Sequence, residues 1–531
     1  MPPDLEKAEG RGCTTIAKRD SDSQEHAPND NVEEQKKASE TPNPLTETTS
    51  QRREESIPHP EVVPRSQRRG FLGRLSIVPE LKNAYMYGNG TKWCFTVIVS
   101  LAAITSSAGS SIFYPPLAEV AERLNTTPTV ANLSLAFYML AMAVTPIWWS
   151  AFSENHGRRT TYLTSFFLFL IFSCISAVSV NITMLIIFRI LSGGAAASVQ
   201  AVGAGTVSDI WEPKVRGRAM GVFFLGPLCG PGLAPVIGGA LTEAFHWQGT
   251  LWFLTIFGGV MILLVLFFLP ETVARREPKP KEPGDTDKGT EIMRRIFGPL
   301  KVLAMLRHPP IIIAVWSAAI AFGAMFVLNV SIQAEFGKSP YNFSVIKVGL
   351  VYLAPLIGNV VSSLLGGQWI DYIMAREAQK ASRYDESGKL KYLPEDRMKE
   401  NIWIASTLYP AALIWFGWSL DKGLHWTVSC VACIFFGLGV MHVMATVTTM
   451  LTEFTPKRSS SGVAINNFSR NILSCTGAVI TQPLVDAMGT GWMCTMVALF
   501  ALVTGIAAIM ALKTWGPQWR VVMDKKLNSG K

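Results

Sequence analysis

Arg189 and Arg470 are the residues most able to do chemistry in this chain, because each falls inside a long apolar stretch. Arg189 lies about eight residues, or roughly 12 Å, below one end of the fourth such stretch, and Arg470 about nine residues, or roughly 14 Å, above the end of the eleventh. A charge at that depth of a bilayer costs several kcal/mol unless it is paired or hydrated. Both arginines are therefore expected at mid-membrane depth, either facing a hydrated cavity and a bound solute or neutralised by carbonyls and amides, with Gln200, Asn466 and Asn467 as candidates. Tyr138, Phe326, Asn329 and Gln333 would add mixed aromatic and polar contacts. His442, in the tenth stretch, can titrate near neutral pH, or simply pack among small residues. The first stretch carries no carboxylate before Glu119. Asp209, Asp371 and Glu453 read as lying at one membrane face, and Glu335 and Asp486 near the other. Such a cavity is neutral or electropositive and suits neutral amphipathic or anionic cargo rather than polyamines.

The fifth stretch, Ala219 to Leu241, holds an interlocked ladder, Gly226-Pro227-x-x-Gly230-Pro231-x-x-Ala234-Pro235-x-x-Gly238-Gly239. At a spacing of four, Gly226, Gly230, Ala234 and Gly238 form one ridge that admits a neighbouring helix closely. Pro227, Pro231 and Pro235 form the adjacent ridge, each lacking a backbone donor, so the helix is expected to bend. In a membrane the freed carbonyls find partners on other helices, and a bent span of this kind suits a rocking bundle.

The elements that must position these residues are twelve apolar stretches: Trp93–Tyr114, Val130–Ile147, Thr161–Val180, Met184–Thr206, Ala219–Leu241, Leu251–Leu269, Ile311–Ile332, Ile346–Leu365, Ile402–Leu420, Trp426–Met450, Val463–Leu484 and Met493–Leu512. Most suffice for a hydrocarbon core that needs about 20 residues. The chain is 49% hydrophobic and 16% charged, an apolar body with polar tails, and reads as an all-α multi-pass membrane protein. Its net charge of +9 is not a nucleic-acid signature, because the Lys and Arg cluster after even-numbered stretches. That asymmetry predicts that both termini are cytoplasmic. The sequons at Asn125, Asn181 and Asn342 then fall on the outer side as candidate glycan acceptors. Residues 1–90, poor in large apolar side chains, read as a disordered cytoplasmic tail. The segment starting near Trp93 would itself act as a signal anchor, with no cleavable signal peptide before it. Residues 91–270 form one six-helix half, 271–309 a cytoplasmic linker, 310–513 a second half and 514–531 a tail. The cysteines, including Cys430 and Cys433, read as small buried hydrophobic thiols rather than a redox or metal site.

The loop after the second stretch, Ser150-Ala-Phe-Ser-Glu154-Asn155-His-Gly157-Arg158-Arg159, has a counterpart after the eighth, Gly367-Gln-Trp-Ile-Asp371. In each, a small residue stands four before a carboxylate, about one six-span half apart, as two rocking halves would require. These residues resemble the major facilitator superfamily, and specifically its fungal twelve-span drug:proton antiporters. The second-stretch loop is similar to the superfamily's cytoplasmic gate motif, keeping Gly157, Arg158 and Arg159 but carrying Ser150, Glu154 and Asn155 at its Gly, Asp and first Arg, swaps expected to weaken that latch. Arg189-Ile-Leu-Ser-Gly193-Gly194 resembles its second motif, and the Gly-Pro ladder its antiporter motif. Arg216-Gly-Arg218-Ala-Met220-Gly221, Trp252-Phe253-Leu254, Pro270-Glu271-Thr272 and Asn466-Asn467-x-x-Arg470 look like the branch of quinidine-resistance, dityrosine and polyamine exporters.

The resemblance covers about Trp93 to Leu512. It implies a major facilitator fold with twelve transmembrane helices in two six-helix halves, and proton-coupled efflux of drugs or metabolites by a monomer in the plasma membrane, or alternatively the vacuolar membrane. Its partners would be the lipid bilayer, protons and a small-molecule substrate, with no nucleic acid, cofactor or metal. A carboxylate-bearing metabolite is the rival cargo, and a solute-binding membrane sensor the rival from another class. No zinc-protease motif, nucleophile elbow, P-loop or dinucleotide fingerprint is present, which argues against an enzyme or an ATP-driven pump.

Overall fold

Backbone amides in hydrocarbon have only one another to bond, so apolar stretches of this length must fold as helices. The computed structural model describes residues 61–212, 215–273, 298–384, 400–454 and 459–529, and these are helical almost throughout. Span 1 is Asn89–Ser111. Span 2 is Pro128–Val144 continued by Pro146–His156, and span 3 is Arg158–Ala177. Span 4 is Ile182–Ala196 with Ser198–Ile210, and spans 5 and 6 share the helix Arg216–Phe268. Span 7 is Pro309–Phe336, span 8 is Val345–Val351 with Leu353–Lys380, and span 9 is Glu400–Asp421. Spans 10, 11 and 12 are Trp426–Phe454, Ser459–Met488 and Thr490–Ser529. Val62 and Leu81 form a β bridge.

Among the described residues, eight of these stretches are long and apolar enough to cross a membrane, and the bent pair of span 2 makes a ninth. Arg216–Phe268 accounts for two crossings. Its first part runs beside span 1 from Ser100, against Gly226, to Ile112, against Gly238. Its second part runs back past Phe169, against Gly258, to Arg159, which bonds the Val265 carbonyl. The reversal falls at Phe245 and His246, the residues with non-helical backbone angles, and not at Pro227, Pro231 or Pro235, which stay inside the helix. Spans 9 and 11 complete the twelve. Span 9 carries Trp403, Trp415, Trp418, Ser406, Ser419 and Tyr409, and span 11 carries Asn466, Asn467, Arg470 and Asn471.

Spans 1–6 and 7–12 pack as two sets, joined where span 5 meets span 8 and where span 2 meets span 11. One end of the bundle carries Arg158, Arg159 and Glu271 and is called the basic end here. At the far end Tyr114 stacks on Tyr352 at 5.6 Å and tilts against Phe326 at 6.2 Å. Asn125, Asn181 and Asn342 are all exposed in far-end connections.

Two expected boundaries differ. Residues 61–88, inside the stretch expected to be a disordered tail, lie against the basic end and bond it, as described below; residues 1–60 lie outside the described residues. Span 12 continues as a helix to Ser529, past the expected end at residue 513. Hydropathy marks where an apolar crossing stops, but helix propensity can carry the backbone further.

Candidate functional site

Glycines on span 4 bring span 2 close enough to wall in Arg189. A Cβ on Gly193 would stand 2.7 Å from the Tyr138 carbonyl oxygen, and one on Gly109 of span 1 would stand 2.1 Å from the Tyr138 hydroxyl. The Arg189 guanidinium is held between the Tyr138 ring, 4.4 Å away, and the Phe113 ring, 4.8 Å away. Both ring faces attract a cation. Nη1 donates to the Gly109 carbonyl at 2.8 Å. Nε and Nη2 are buried with no partner among the described residues, and the side chain is 1% exposed. The charge is thus only partly compensated.

Arg470 has a similar setting in the other half. Its guanidinium lies 4.1 Å from the Phe322 ring, Nη1 donates to Asn467 Oδ1 at 3.4 Å, and Nε is buried without a partner among the described residues. Asn466 is buried with Oδ1 unpartnered in the same way. Phe322 leads to Phe326 at 5.4 Å, and Phe326 to Tyr114 and Tyr352. Phe113, beside Arg189, is the chain neighbour of Tyr114. Both arginines therefore abut one aromatic partition. Asn471 ties the halves by donating to the Met142 carbonyl at 3.4 Å.

Several expected roles change. Gln200 does not neutralise Arg189; its Nε2 donates to Ser106 Oγ at 3.2 Å. Tyr138, Phe326 and Asn329 are buried, and Tyr352 donates to the Asn329 carbonyl at 2.6 Å. Gln333 and His442 are half-buried, and the His442 carbonyl accepts from Thr446. The buried carboxylates among the described residues are Glu80, Glu271 and Glu377, none of them near the two arginines.

The ladder serves two neighbours at once. A Cβ would stand 2.2 Å from the Ser100 carbonyl oxygen at Gly226, 2.0 Å from Ser107 Oγ at Gly230 and 2.2 Å from the Ile112 carbonyl oxygen at Gly238, all on span 1. Gly239 meets the Val345 carbonyl and Gly349 the Pro235 carbonyl, so span 8 of the other half fits the adjacent face. Side chains at these points would hold the helices apart.

At the basic end the gate loop turns at Gly157, whose φ of 91° favours glycine and whose missing Cβ leaves room for Glu271. Glu271 accepts from the backbone amides of Arg158 at 2.9 Å and Arg159 at 3.2 Å. Burial pushes the Glu271 carboxyl up from its ordinary pKa, while the amides of Arg158, Val273 and Arg159 pull it back. Arg158 pairs with Asp209 at 3.0 Å and donates to Ser153 at 2.8 Å. Arg159, fully buried, donates to the carbonyls of Phe71, Leu72, Val265, Leu266 and Leu269. Glu154 is exposed. Gly367 and Asp371 are on the helix of span 8, but the Asp371 side chain lies outside the described residues.

Two interlocked six-helix sets, a turn-and-arginine gate at one end and a Gly-Pro ladder between span 1 and span 8 define an architecture that known proteins share. The sequence profile of the Major Facilitator Superfamily matches residues 99–478. The chain belongs to that superfamily. It is 30% identical to MFS antiporter QDR3 of Candida albicans over 85% of this chain and 81% of that protein. Citrate exporter 1 of Aspergillus niger is 27% identical over 91% and 99%. A bacterial homologue of the human lysosomal transporter Spinster, solved in an inward-facing, unoccupied conformation, superposes with a TM-score of 0.53 at 14% identity, covering 83% and 99%, which bears on the fold. The protein is a multi-pass membrane transporter of a non-enzymatic superfamily, related to drug and metabolite exporters. Sequence reasoning missed Tyr114, Tyr352, Asp209 as the partner of Arg158, and the docking of residues 61–88. Apart from its family resemblance, nothing in Pro270-Glu271-Thr272 signals that Glu271 caps the gate loop.

Proposed function

We propose that this major facilitator exports small organic molecules, neutral amphipathic or anionic, across the plasma membrane in exchange for protons. The observation that carries the reading is the pair of buried arginines, each with guanidinium donors left over, against an aromatic partition with no buried carboxylate beside it among the described residues. A desolvated cation of this kind is stabilised by an anionic or strongly accepting group on a passing solute. Alternating access would open the far end by separating Tyr114 from Tyr352 and Phe326, with the span 5 ladder as the sliding surface. The basic end is the cytoplasmic one in this reading, because short loops rich in Lys and Arg stay on that side. A carboxylate-bearing metabolite is a second reading, favoured by the arginines and by the likeness to a citrate exporter. Purified protein in liposomes, loaded with cationic, neutral and anionic compounds under an imposed pH gradient, tests both. Uphill export of anionic or neutral compounds that stops when the proton gradient is dissipated supports the proposal. Undiminished uphill transport with no ion gradient removes proton coupling, and preferential transport of polycations removes the assigned cargo class.

A further inference from the structure

We infer that residues 61–82 form an acidic-phospholipid contact at the basic end, a short basic and apolar strip lying in the headgroup region of the bilayer. The strip is pinned to the bundle by its backbone. The Phe71 amide donates to Thr160 Oγ1 at 3.0 Å, the Ile77 amide donates to the Phe267 carbonyl at 2.7 Å, and Arg159 gathers the Phe71 and Leu72 carbonyls. These anchor points lie at the ends of two lipid-facing stripes. On span 3, Thr160, Thr164 and Phe167 share a helix face, and Phe167 is 58% exposed. On span 6, Ile256, Val260 and Leu263 recur on one exposed face that leads down to Phe267. Exposed apolar stripes on membrane-crossing helices face acyl chains. The strip continues both stripes toward the headgroups with Phe71, Leu72, Leu75 and Ile77, all exposed.

Charge selects the lipid. Both carboxylates of the strip are already paired, Glu80 with Arg69 at 2.6 Å and Glu61 with Lys82. Arg65 and Arg74 are exposed and left without a counter-ion among the described residues, while Arg68 donates to the Ser76 carbonyl at 2.6 Å. Apolar side chains level with the outer rim of the hydrocarbon and free guanidinium groups beside them fit an acidic phospholipid of that leaflet. Each basic residue near an anionic surface favours association by about fivefold. The cellular meaning of the contact rests on the basic end being cytoplasmic, as proposed above, but binding itself does not.

The test is photolabelling of full-length protein in nanodiscs whose two leaflets have the same composition, so that the result is independent of orientation. Phosphatidylserine or phosphatidylcholine carrying a diazirine high in the acyl chain is added at matched mole fraction, and adducts on the peptide covering residues 61–82 are quantified by mass spectrometry. We expect at least about fivefold more labelling by phosphatidylserine than by phosphatidylcholine. Arg65→Gln with Arg74→Gln should bring the two lipids level without changing the unfolding temperature, and Phe71→Ser with Ile77→Ser should lower labelling by both. Equal labelling of the native protein by the two lipids, or an undiminished serine-lipid preference in the arginine variant, overturns the inference. If another part of the chain, a second copy or a protein partner covers the strip, neither lipid labels it, which overturns it as well. Should the arginine variant not fold, the ratio measured on the native protein decides.

Discussion

Arg159 and Arg189 are both buried, yet the molecule treats them in opposite ways. A guanidinium has five N–H donors. At Arg159 they meet five backbone carbonyls, from residues 71–72 and from the end of span 6. At Arg189 one carbonyl and two ring faces are supplied, and Nε and Nη2 are left over among the described residues. Saturation of all donors fixes a junction of three chain segments, whereas the open donors of Arg189 are what the proposed solute contact would use. The two are equally buried, and what distinguishes them is the number of donors that find an acceptor.

The comparison breaks first at Arg159. Arg159→Gln leaves several buried carbonyls without donors and should cost at least about 3 kcal/mol, read as a large loss of folded, monodisperse protein in size-exclusion profiles. Full recovery of folded protein would mean that the five bonds contribute little. Next, Gly226→Ala puts a methyl against the Ser100 carbonyl, which cannot move without its helix, at about 1–3 kcal/mol. Gly230→Ala should cost a similar amount, since the Ser107 hydroxyl can rotate aside but the Ser107 Cβ, 2.7 Å from the added methyl, moves only with its helix, and thermal melts of the two variants check this. Arg189→Gln and Arg470→Gln should instead keep the folded amount and lower transport per folded molecule by about tenfold for anionic or neutral cargo. Arg→Lys should restore it partly, because lysine lacks the planar fork. Unchanged turnover in both Gln variants would place Arg189 and Arg470 with Arg159 as structural groups. The smallest effect is expected for Tyr352→Phe, which removes one bond of about 1 kcal/mol to the Asn329 carbonyl. It should raise hydroxyl-radical labelling of Tyr114 about fivefold by loosening the far-end closure.

Parts of the site were legible because the membrane makes them so. Arg189 and Arg470 stand out against apolar neighbours, and the period of four in Gly226, Gly230, Ala234 and Gly238 announces a close helix contact. Their partners were not legible. Gln200 was a reasonable neutraliser of Arg189 by type, but its amide is taken up by the Ser106 hydroxyl on span 1, a partner that only the packing of the two helices supplies. Glu271 lies in a polar stretch where a carboxylate attracts no notice, and its role depends on the turn at Gly157, more than a hundred residues earlier.

By itself the sequence determined the number and positions of the spans and the division into two halves, because dehydrated backbone has helix as its available solution and hydropathy records where dehydration begins. Tertiary structure alone decided which charges are satisfied. It also brought Tyr114, Phe326 and Tyr352 together at the far end and seated residues 61–88, whose apolar side chains are hidden in the polar average of residues 1–90. Those outcomes depend on backbone carbonyls and ring faces brought together from distant parts of the chain, and such acceptors have no residue type by which a sequence could announce them.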